Sequence, residues 1–219
     1  MKGATVVAAA GNPLDLGNFS LCEHTVQCLH ERGVTYLFEI QAKTFGLIRN
    51  GTDVIGRART GMGKTLAFVL PLCELLNDAG HGKFGRPPIG VILAPTRELA
   101  VQIVKEVESV AKGYSVLALY GGTPYPPQFQ ALRTGVDVVV GTPGRIKDHL
   151  EKQTLDLVTR CKFAVCVCPP RKQIMLFLFL HLLLLPSLSP YRFHASTRSS
   201  WPLADTFPPS RILRARCPN

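Results

Sequence analysis

The last quarter of the sequence has almost no acidic residues and no glycine. Residues 161–219 contain one acid, Asp205, beside eight lysines and arginines, whereas all 19 glycines lie before residue 161. Most of the formal net charge of +10 therefore comes from this segment, so the net charge alone does not argue for a nucleic-acid partner. The shift in composition near residue 160 predicts a folded domain followed by a tail.

Other shortages exclude simple functional classes. The seven cysteines lack zinc-site spacing, and the nearest group, Cys161, Cys166 and Cys168, reads C-x4-C-x-C, so we interpret them as incidental. The N-terminal apolar patch 6–10 is too short for the core of a signal peptide and lacks the arginines of a transit peptide. An organellar address stays open but has no support.

The longest apolar run, residues 174–185, is also too short to cross a bilayer, because a membrane-spanning helix needs about 20 residues. It could attach the chain to a membrane or a partner, or it could be a stretch never selected to pack in this fold. The absence of a nearby acid and the prolines on both sides favour the second interpretation. We therefore expect no membrane role and a liability to aggregate if the run is exposed.

From Phe19 to Leu157 the chain alternates between helical and strand patterns, and a further strand pattern follows at 162–167. Apolar runs predict strands at 53–57, 89–94, 116–120, 136–140 and 162–167, and amphipathic patterns predict helices at 25–31, 41–48, 64–76, 96–112, 126–133 and 145–151. Near-continuous apolar strands between helices indicate a doubly wound parallel α/β sheet, with ligands at the carboxyl ends of its strands. We expect an extension at 1–16, an incomplete domain at 17–167 and an irregular tail at 168–219.

The strongest chemical signal is a glycine loop between a predicted strand and a predicted helix. Its residues are Ala58, Arg59, Thr60, Gly61, Met62, Gly63, Lys64 and Thr65. Glycines let backbone N–H groups approach phosphates, the helix start adds positive charge, and Lys64 and the Thr65 hydroxyl would reach the outer phosphates and Mg²⁺. An ordinary glycine turn is the alternative, and the flanking strand and helix favour the phosphate loop.

Four more stretches accompany this loop: Gln41 in LFEIQAKTF, APTRELAVQ at 94–102, YGG at 120–122 and VGTPGR at 140–145. Together and in this order they resemble the first RecA-like domain, a P-loop NTPase fold, of a DEAD-box ATP-dependent RNA helicase, most closely its nucleolar Gu-type branch. The resemblance covers about residues 17–160, and it also accounts for Ala58, since that family uses A-x-T-G-x-G-K-T.

The resemblance implies ATP and Mg²⁺ as cofactors. Gln41 would hydrogen-bond the adenine edge, Phe19 would stack on the base, and the loop residues 58–65 would hold the phosphates, with Thr65 as the metal ligand. The family usually has a proline two residues before this glutamine, and this chain has Glu39 instead. The resemblance also implies a nuclear or nucleolar location.

The same resemblance implies an RNA-backbone interface built from Pro95, Thr96, Arg97, Gly121, Gly122, Thr142, Pro143, Gly144 and Arg145. The residue types suit that role, because Arg97 and Arg145 can pair with phosphate and the threonines stand at helix starts. Such contacts recognise backbone shape rather than sequence, and no DNA specificity is expected. Each motif alone could be ordinary helix capping.

The acids required for ATP hydrolysis are missing. In the family, D-E-A-D follows the strand after TPGR, but here strand 162–167 leads into Cys168, Pro169 and Pro170, and no acid occurs between Asp156 and Asp205. No S-A-T-like motif and no second RecA-like domain follow. We therefore assign no catalytic residue, because hydrolysis needs a carboxylate to help hold Mg²⁺ and a group to orient water.

Two functions stay open at this point. The chain is a truncated helicase-family member that binds ATP and RNA without unwinding, or it is a non-catalytic nucleotide-binding or RNA-binding fragment that acts as an interaction module. The tail could be read-through of non-coding sequence or a frameshift, since glycine and acids disappear abruptly.

Overall fold

Short parallel strands alternate with helices along the chain. The computed structural model describes residues 12–80 and 84–167, together with the backbone of 213–216. The helices are α1 (Glu23–Glu31), α2 (Glu39–Arg49), α3 (Lys64–Ala79), α4 (Arg97–Val110), α5 (Tyr125–Thr134) and α6 (Pro143–Glu151), and the strands are β1 (Val54–Arg57), β2 (Gly90–Leu93), β3 (Val116–Leu119), β4 (Val138–Gly141), β5 (Phe163–Cys166) and β6 (Leu213–Arg216). A 3-10 turn, Leu16–Asn18, precedes α1.

Four strands form one parallel sheet in the order β3-β4-β2-β5. The central strands β2 and β4 are buried at all of their residues, as apolar runs in a sheet covered on both faces predict. Val91 lies opposite Val139 on one side and Ala164 on the other. The sheet confirms the predicted parallel α/β architecture.

The core lies on both faces of this sheet, because successive strand residues point to opposite sides. On one face Ile92, Val138 and Val140 pack with buried residues of α2, α3 and α4. On the other face Val91 and Val139 pack with residues of α5, α6 and the 155–157 segment. This two-sided cover is what makes the fold doubly wound and leaves the strand ends open for ligands.

Strand β1, which leads into the glycine loop, lies in a separate ladder. Among the described residues it pairs in parallel with β6 alone, Val54 opposite Leu213 and Arg57 opposite Arg216. The tail was expected to be irregular, so this strand is a difference from the sequence prediction. The LRAR segment alternates apolar and charged residues with the period of a strand, a signal hidden by the surrounding prolines.

Two buried acids hold neighbouring segments of the chain together. Glu74 of α3 accepts hydrogen bonds from Thr25 Oγ1 at 2.7 Å and from the Cys22 N–H at 3.0 Å, which anchors the start of α1. Asp137, just before β4, accepts from Arg86 Nε and Nη2, both at 2.7 Å. Both carboxylates satisfy the requirement that buried charge be paired or hydrogen-bonded.

Several other expectations lie outside the described residues. These are the N-terminal patch 6–10, the residues Cys168, Pro169 and Pro170, and the apolar run 174–185.

None of the helices in the described part of the chain is long and apolar enough to span a membrane. The five cysteines described are unbridged, and no three metal-binding side chains cluster within residues 12–80 and 84–167.

Candidate functional site

The glycine loop connects β1 to α3, and two of its glycines have backbone conformations that favour glycine. Gly61 has φ of 85° and Gly63 has φ of 64°, both in the left-handed region. A Cβ atom at Gly63 would lie 2.1 Å from Gln41 Nε2 and 2.8 Å from Phe38 Cδ2. Both the torsion and the close approach therefore require glycine at this position.

Gln41 forms hydrogen bonds that connect α2 to the glycine loop. Its Oε1 accepts a hydrogen bond from the Phe38 N–H at 2.8 Å, and its Nε2 donates one to the Gly63 carbonyl at 2.9 Å. The buried amide thus joins the start of α2 to the last residue before α3. A contact between Gln41 and adenine stays a prediction.

Glu39 stands where the family usually has proline, and it is the first residue of α2. Its carboxylate pairs with Lys43 Nζ at 2.5 Å, four residues later. Proline suits the first helical position because its φ is already helical, and an acid suits it because of the helix dipole. Glu39 is therefore suited to begin α2 two residues before Gln41.

The positively charged side chain of Lys64 lies where the loop ends and α3 begins. Lys64 Nζ is exposed and donates to the carbonyls of Ala58 at 2.9 Å and Arg59 at 2.7 Å. The first turn of α3, all of it described, carries no acid, and Thr65 stands in that turn beside Lys64. Free N–H groups at a helix start, an adjacent ammonium and no competing acid fit a polyphosphate.

Phe19 and Phe38, two aromatic residues that precede Gln41 in the sequence, have different surroundings. Phe19 packs edge to face on Phe45, with the ring centroids 6.0 Å apart. Phe45 lies one helical turn after Gln41 in α2. Stacking of Phe19 on a nucleotide base stays a prediction. Phe38, which contacts the glycine loop and is partly exposed, was not identified from the sequence. Its signal was an aromatic residue at the helix start just before Gln41.

The three stretches expected to contact RNA follow three neighbouring strands. Residues 95–97 follow β2, 121–122 follow β3 and 142–145 follow β4, and these strands are adjacent in the sheet. The ends are joined by backbone bonds, since Ala94 N–H donates to the Gly141 carbonyl and Thr142 N–H to the Leu119 carbonyl, both at 2.9 Å. The structure therefore brings the three stretches to one edge of the sheet.

Arg97 is the exposed arginine of this edge. Its Cζ lies 5.3 Å from the centroid of the Tyr120 ring, in range for a cation–π contact. A Cβ at Gly122, where φ is 82°, would lie 3.0 Å from Arg97 Nη1. Thr96 caps α4 by accepting from the Leu99 N–H at 3.3 Å, so the guanidinium projects from a fixed helix start.

Arg145 has a different environment, because its side chain is only 8% exposed. Its Nη1 donates to the Thr123 carbonyl at 3.0 Å and to Gln128 Oε1 at 2.9 Å, and its Cζ lies 4.0 Å from the centroid of the Tyr125 ring. The sequence suggested a phosphate-facing arginine, whereas the structure places the group between α5 and α6. A contact between Arg145 and phosphate stays a prediction.

His149 shares this cluster and was also missed from the sequence. Its Nε2 lies 2.9 Å from Gln128 Oε1, which is an acceptor, so the neutral ring carries its proton on Nε2. Burial first, and then the charges of Arg145 and Lys152, lower the pKa of His149 below its usual value of 6.5. The available signal was its position four residues after Arg145, on the same face of a helix.

The carboxyl end of β5 lies level with that of β2, since Val167 N–H donates to the Leu93 carbonyl at 2.9 Å. The chain thus reaches the open edge of the sheet at the point where the sequence continues as Cys168, Pro169 and Pro170. No acidic side chain is available from the sequence immediately after this strand.

A parallel α/β sheet with a glycine-lysine-threonine loop opening a helix defines the class of P-loop nucleotide-binding domains. Residues 38–166, more than half of the chain, match the sequence pattern described as DEAD/DEAH box helicase. The chain belongs to the DEAD/DEAH box helicase family.

Curated relatives agree with this assignment. The chain is 51% identical over 149 residues to "Nucleolar RNA helicase 2" of Rattus norvegicus, a match covering 68% of the chain and 19% of that protein. It is 47% identical over 152 residues to "DEAD-box ATP-dependent RNA helicase 7" of Arabidopsis thaliana, covering 66% and 23%. The match therefore spans about a fifth of the length of these relatives.

Solved structures agree as well. A DEAD box protein from Methanococcus jannaschii superposes with a TM-score of 0.70 at 31% identity, over 80% of this chain and 47% of that one. A hypothetical ATP-dependent RNA helicase from Sulfolobus tokodaii gives a TM-score of 0.65 at 30% identity, over 77% and 48%. The fold is thus that of a DEAD-box RecA-like domain.

Proposed function

We propose that this chain binds ATP with Mg²⁺ at residues 58–65 and RNA at the strand ends, and does not turn ATP over. The observation that carries the proposal is the loop itself, in which Gln41 and Lys64 fix a glycine cradle at the start of α3. Membership in the helicase family supports ATP and RNA as the ligands.

For ATP, the argument rests on which groups a nucleotide would engage. Lys64 now donates to two loop carbonyls, and phosphate oxygens would be stronger acceptors for the same ammonium. The Thr65 hydroxyl would be the protein's ligand for a Mg²⁺ ion that the phosphates and water otherwise coordinate. Gln41 would reach the adenine edge, and Phe19 would stack on the ring.

For RNA, the argument rests on the shared edge of three strands. The exposed guanidinium of Arg97, the hydroxyls of Thr96 and Thr142, and the glycines of 121–122 and 144 offer donors and close approach to a sugar-phosphate backbone. Donors of this kind contact the sugar-phosphate backbone and carry no sequence information directly, which supports sequence-independent binding and no preference for DNA sequence.

The absence of turnover follows from the residues after β5. Phosphoryl transfer needs a carboxylate that helps hold Mg²⁺ and a group that orients water. The sequence supplies Cys168, Pro169 and Pro170 there, and no acid until Asp205. The same shortage supports the second candidate, a non-catalytic module that binds nucleotide or RNA as part of an interaction.

The names of the relatives suggest a location. Two of the similar proteins are called "Nucleolar RNA helicase 2", in Rattus norvegicus and Mus musculus, which supports a nuclear or nucleolar site for this chain. Imaging of the full chain with a fluorescent tag would test this, and exclusion from the nucleus would contradict it.

Calorimetric titration with ATP and Mg²⁺ tests the nucleotide part directly. Lys64→Ala should weaken binding by about tenfold or more, because a hydrogen bond to a charged group contributes about 1.5–3 kcal/mol. Lys43→Ala, which removes an exposed lysine that pairs with Glu39 in α2, serves as the matched control for loss of one positive charge. Equal affinities for wild type and Lys64→Ala would refute the proposed phosphate site.

A further inference from the structure

The loop after β3 begins with Tyr120 and continues with two glycines, which have no side chain. Gly121 and Gly122 are followed by Thr123, and Gly122 has φ of 82°. Flexible glycines lose much conformational freedom on ordering, so neighbouring groups must hold this loop in place. The groups that do so are found on α5 and α6.

Thr123 is held at two atoms. Its carbonyl accepts from Arg145 Nη1 at 3.0 Å, and its Oγ1 accepts from Gln128 Nε2 at 2.6 Å. The Thr123 hydroxyl also donates to the Tyr120 carbonyl at 2.9 Å, across the glycine pair. The loop is therefore closed by a short network whose two anchors are Arg145 and Gln128.

Arg145 is itself immobilised by its surroundings. The Tyr125 ring covers the guanidinium, and Gln128 Oε1 accepts a second hydrogen bond from Nη1 at 2.9 Å. Tyr125 is fixed in turn, because its hydroxyl donates to Asp148 Oδ2 at 2.8 Å and Lys152 Nζ lies 3.6 Å from its ring centroid. A guanidinium held on these sides and largely buried is a poor ligand for an RNA phosphate.

We propose that Arg145, Gln128 and Tyr125 are positioning residues that lock loop 121–123 against turn 142–144, so that Arg145 acts on RNA through the loop and not by pairing with a phosphate. This inference rests on the proposed RNA function. It assigns the direct ionic contact at this edge to Arg97, which is exposed, and gives Arg145 the task of fixing the backbone that the RNA meets.

The first test needs no RNA. Amide ¹⁵N order parameters of residues 121–123 should fall from about 0.85 in the wild-type chain to below about 0.6 in Arg145→Gln. Lys147→Gln, an exposed change on the same helix, should leave them unaltered. If Arg145→Gln does not fold, Tyr125→Leu removes the ring instead and should loosen the same loop, whereas Tyr125→Phe should keep it rigid. A loop that stays rigid in Arg145→Gln, or in Tyr125→Leu where Arg145→Gln does not fold, overturns the inference.

The second test uses salt dependence to separate the two arginines. Binding of a fluorescent oligouridine is measured against salt, where each lost ionic phosphate contact reduces the slope of log K against log salt by about 0.7 for single strands. Arg97→Gln should reduce the slope by that amount. Arg145→Gln should weaken binding about fivefold or more at one salt concentration and keep the wild-type slope.

The outcomes are distinguishable. A slope reduced equally by Arg145→Gln and Arg97→Gln makes Arg145 a phosphate ligand and overturns the inference. Unchanged affinity in Arg145→Gln overturns it as well. Wild-type chain that binds no oligouridine refutes the proposed RNA function, and the order parameters then still decide whether Arg145 holds the loop.

Discussion

At the scale of single residues, the proposed nucleotide site depends on one glycine and one amide. Gly63 leaves room for the Gln41 amide, and Gln41 ties the loop to the start of α2. The sequence predicted both residues, because the family motif names them. It did not predict their contact, since a separation of 22 residues carries no local pattern.

Replacing Gly63 with alanine should abolish this arrangement. The new methyl group would overlap Gln41 Nε2 and hold a residue with φ of 64° in a conformation that L-amino acids disfavour. We expect ATP affinity to fall about tenfold or more, measured by calorimetry. Gly46→Ala, in the middle of α2 with open space around it, should leave affinity unchanged and slightly stabilise the helix.

The buried histidine predicts a dependence of stability on pH. The pKa of His149 is lowered in the folded chain, so the unfolded chain binds more protons as the pH drops below about 6.5. The stabilisation from the neutral ring is thus complete above that pH and is lost as the pH falls toward the folded pKa, by up to about 1.4 kcal/mol per pH unit.

Urea unfolding at pH 7.5 and pH 5.5 measures this effect. The wild-type chain should be less stable at pH 5.5 than at pH 7.5. The difference in free energy of unfolding between wild type and His149→Gln should be smaller at pH 5.5. A difference of the same size at both pH values would contradict a neutral, buried His149.

At the scale of elements, a buried ion pair joins the loop before β2 to the start of β4. Burial alone raises the pKa of Asp137, but hydrogen bonds from Arg86 and the Ser115 N–H outweigh this effect and lower it. The Asp137 side chain is fully buried and that of Arg86 is 18% exposed. Sequence reasoning missed this pair, because Asp137 stood inside a predicted apolar strand.

Asp137→Asn should be strongly destabilising, because the new amide group would turn a donor toward Arg86 or the Ser115 N–H. We expect the free energy of unfolding to fall by about 3 kcal/mol or more, the usual result of breaking a buried pair. Asp78→Asn breaks the ion pair with Arg49, in which Asp78 is 60% exposed. This change should alter the free energy of unfolding by about 1 kcal/mol or less. Similar losses in both variants would contradict this assignment.

At the scale of the whole molecule, the protection of backbone amides from hydrogen exchange should differ between the four-stranded sheet and the pair of strands β1 and β6. Strands β2 and β4 have neighbours on both sides, whereas β1 pairs with β6 alone among the described residues and leaves Ile55 46% exposed. Hydrogen exchange followed by mass spectrometry should show β1 amides exchanging about tenfold faster or more than those of β4. Equal protection of β1 and β4 would contradict the separate ladder.

The sequence predicted the order of elements and the strand-end positions of the glycine loop and of the three stretches expected to contact RNA, because both follow from local periodicity and from the family pattern. Helices α1 and α2 begin two residues earlier than predicted, since Glu23 and Glu39 fit the first turn as acids. The pairing of β1 with β6 and the burial of Arg145 were not predictable in this way. Both depend on contacts between segments that are distant in the sequence.

The measurement that tests the central claim most directly is RNA-stimulated ATP turnover of the full chain, compared with Lys64→Ala under conditions where wild type binds ATP. The missing carboxylate after β5 predicts phosphate release at the Lys64→Ala background rate, with or without RNA. Turnover clearly above that background, and raised by RNA, would contradict the account and show that another group holds Mg²⁺ and orients water.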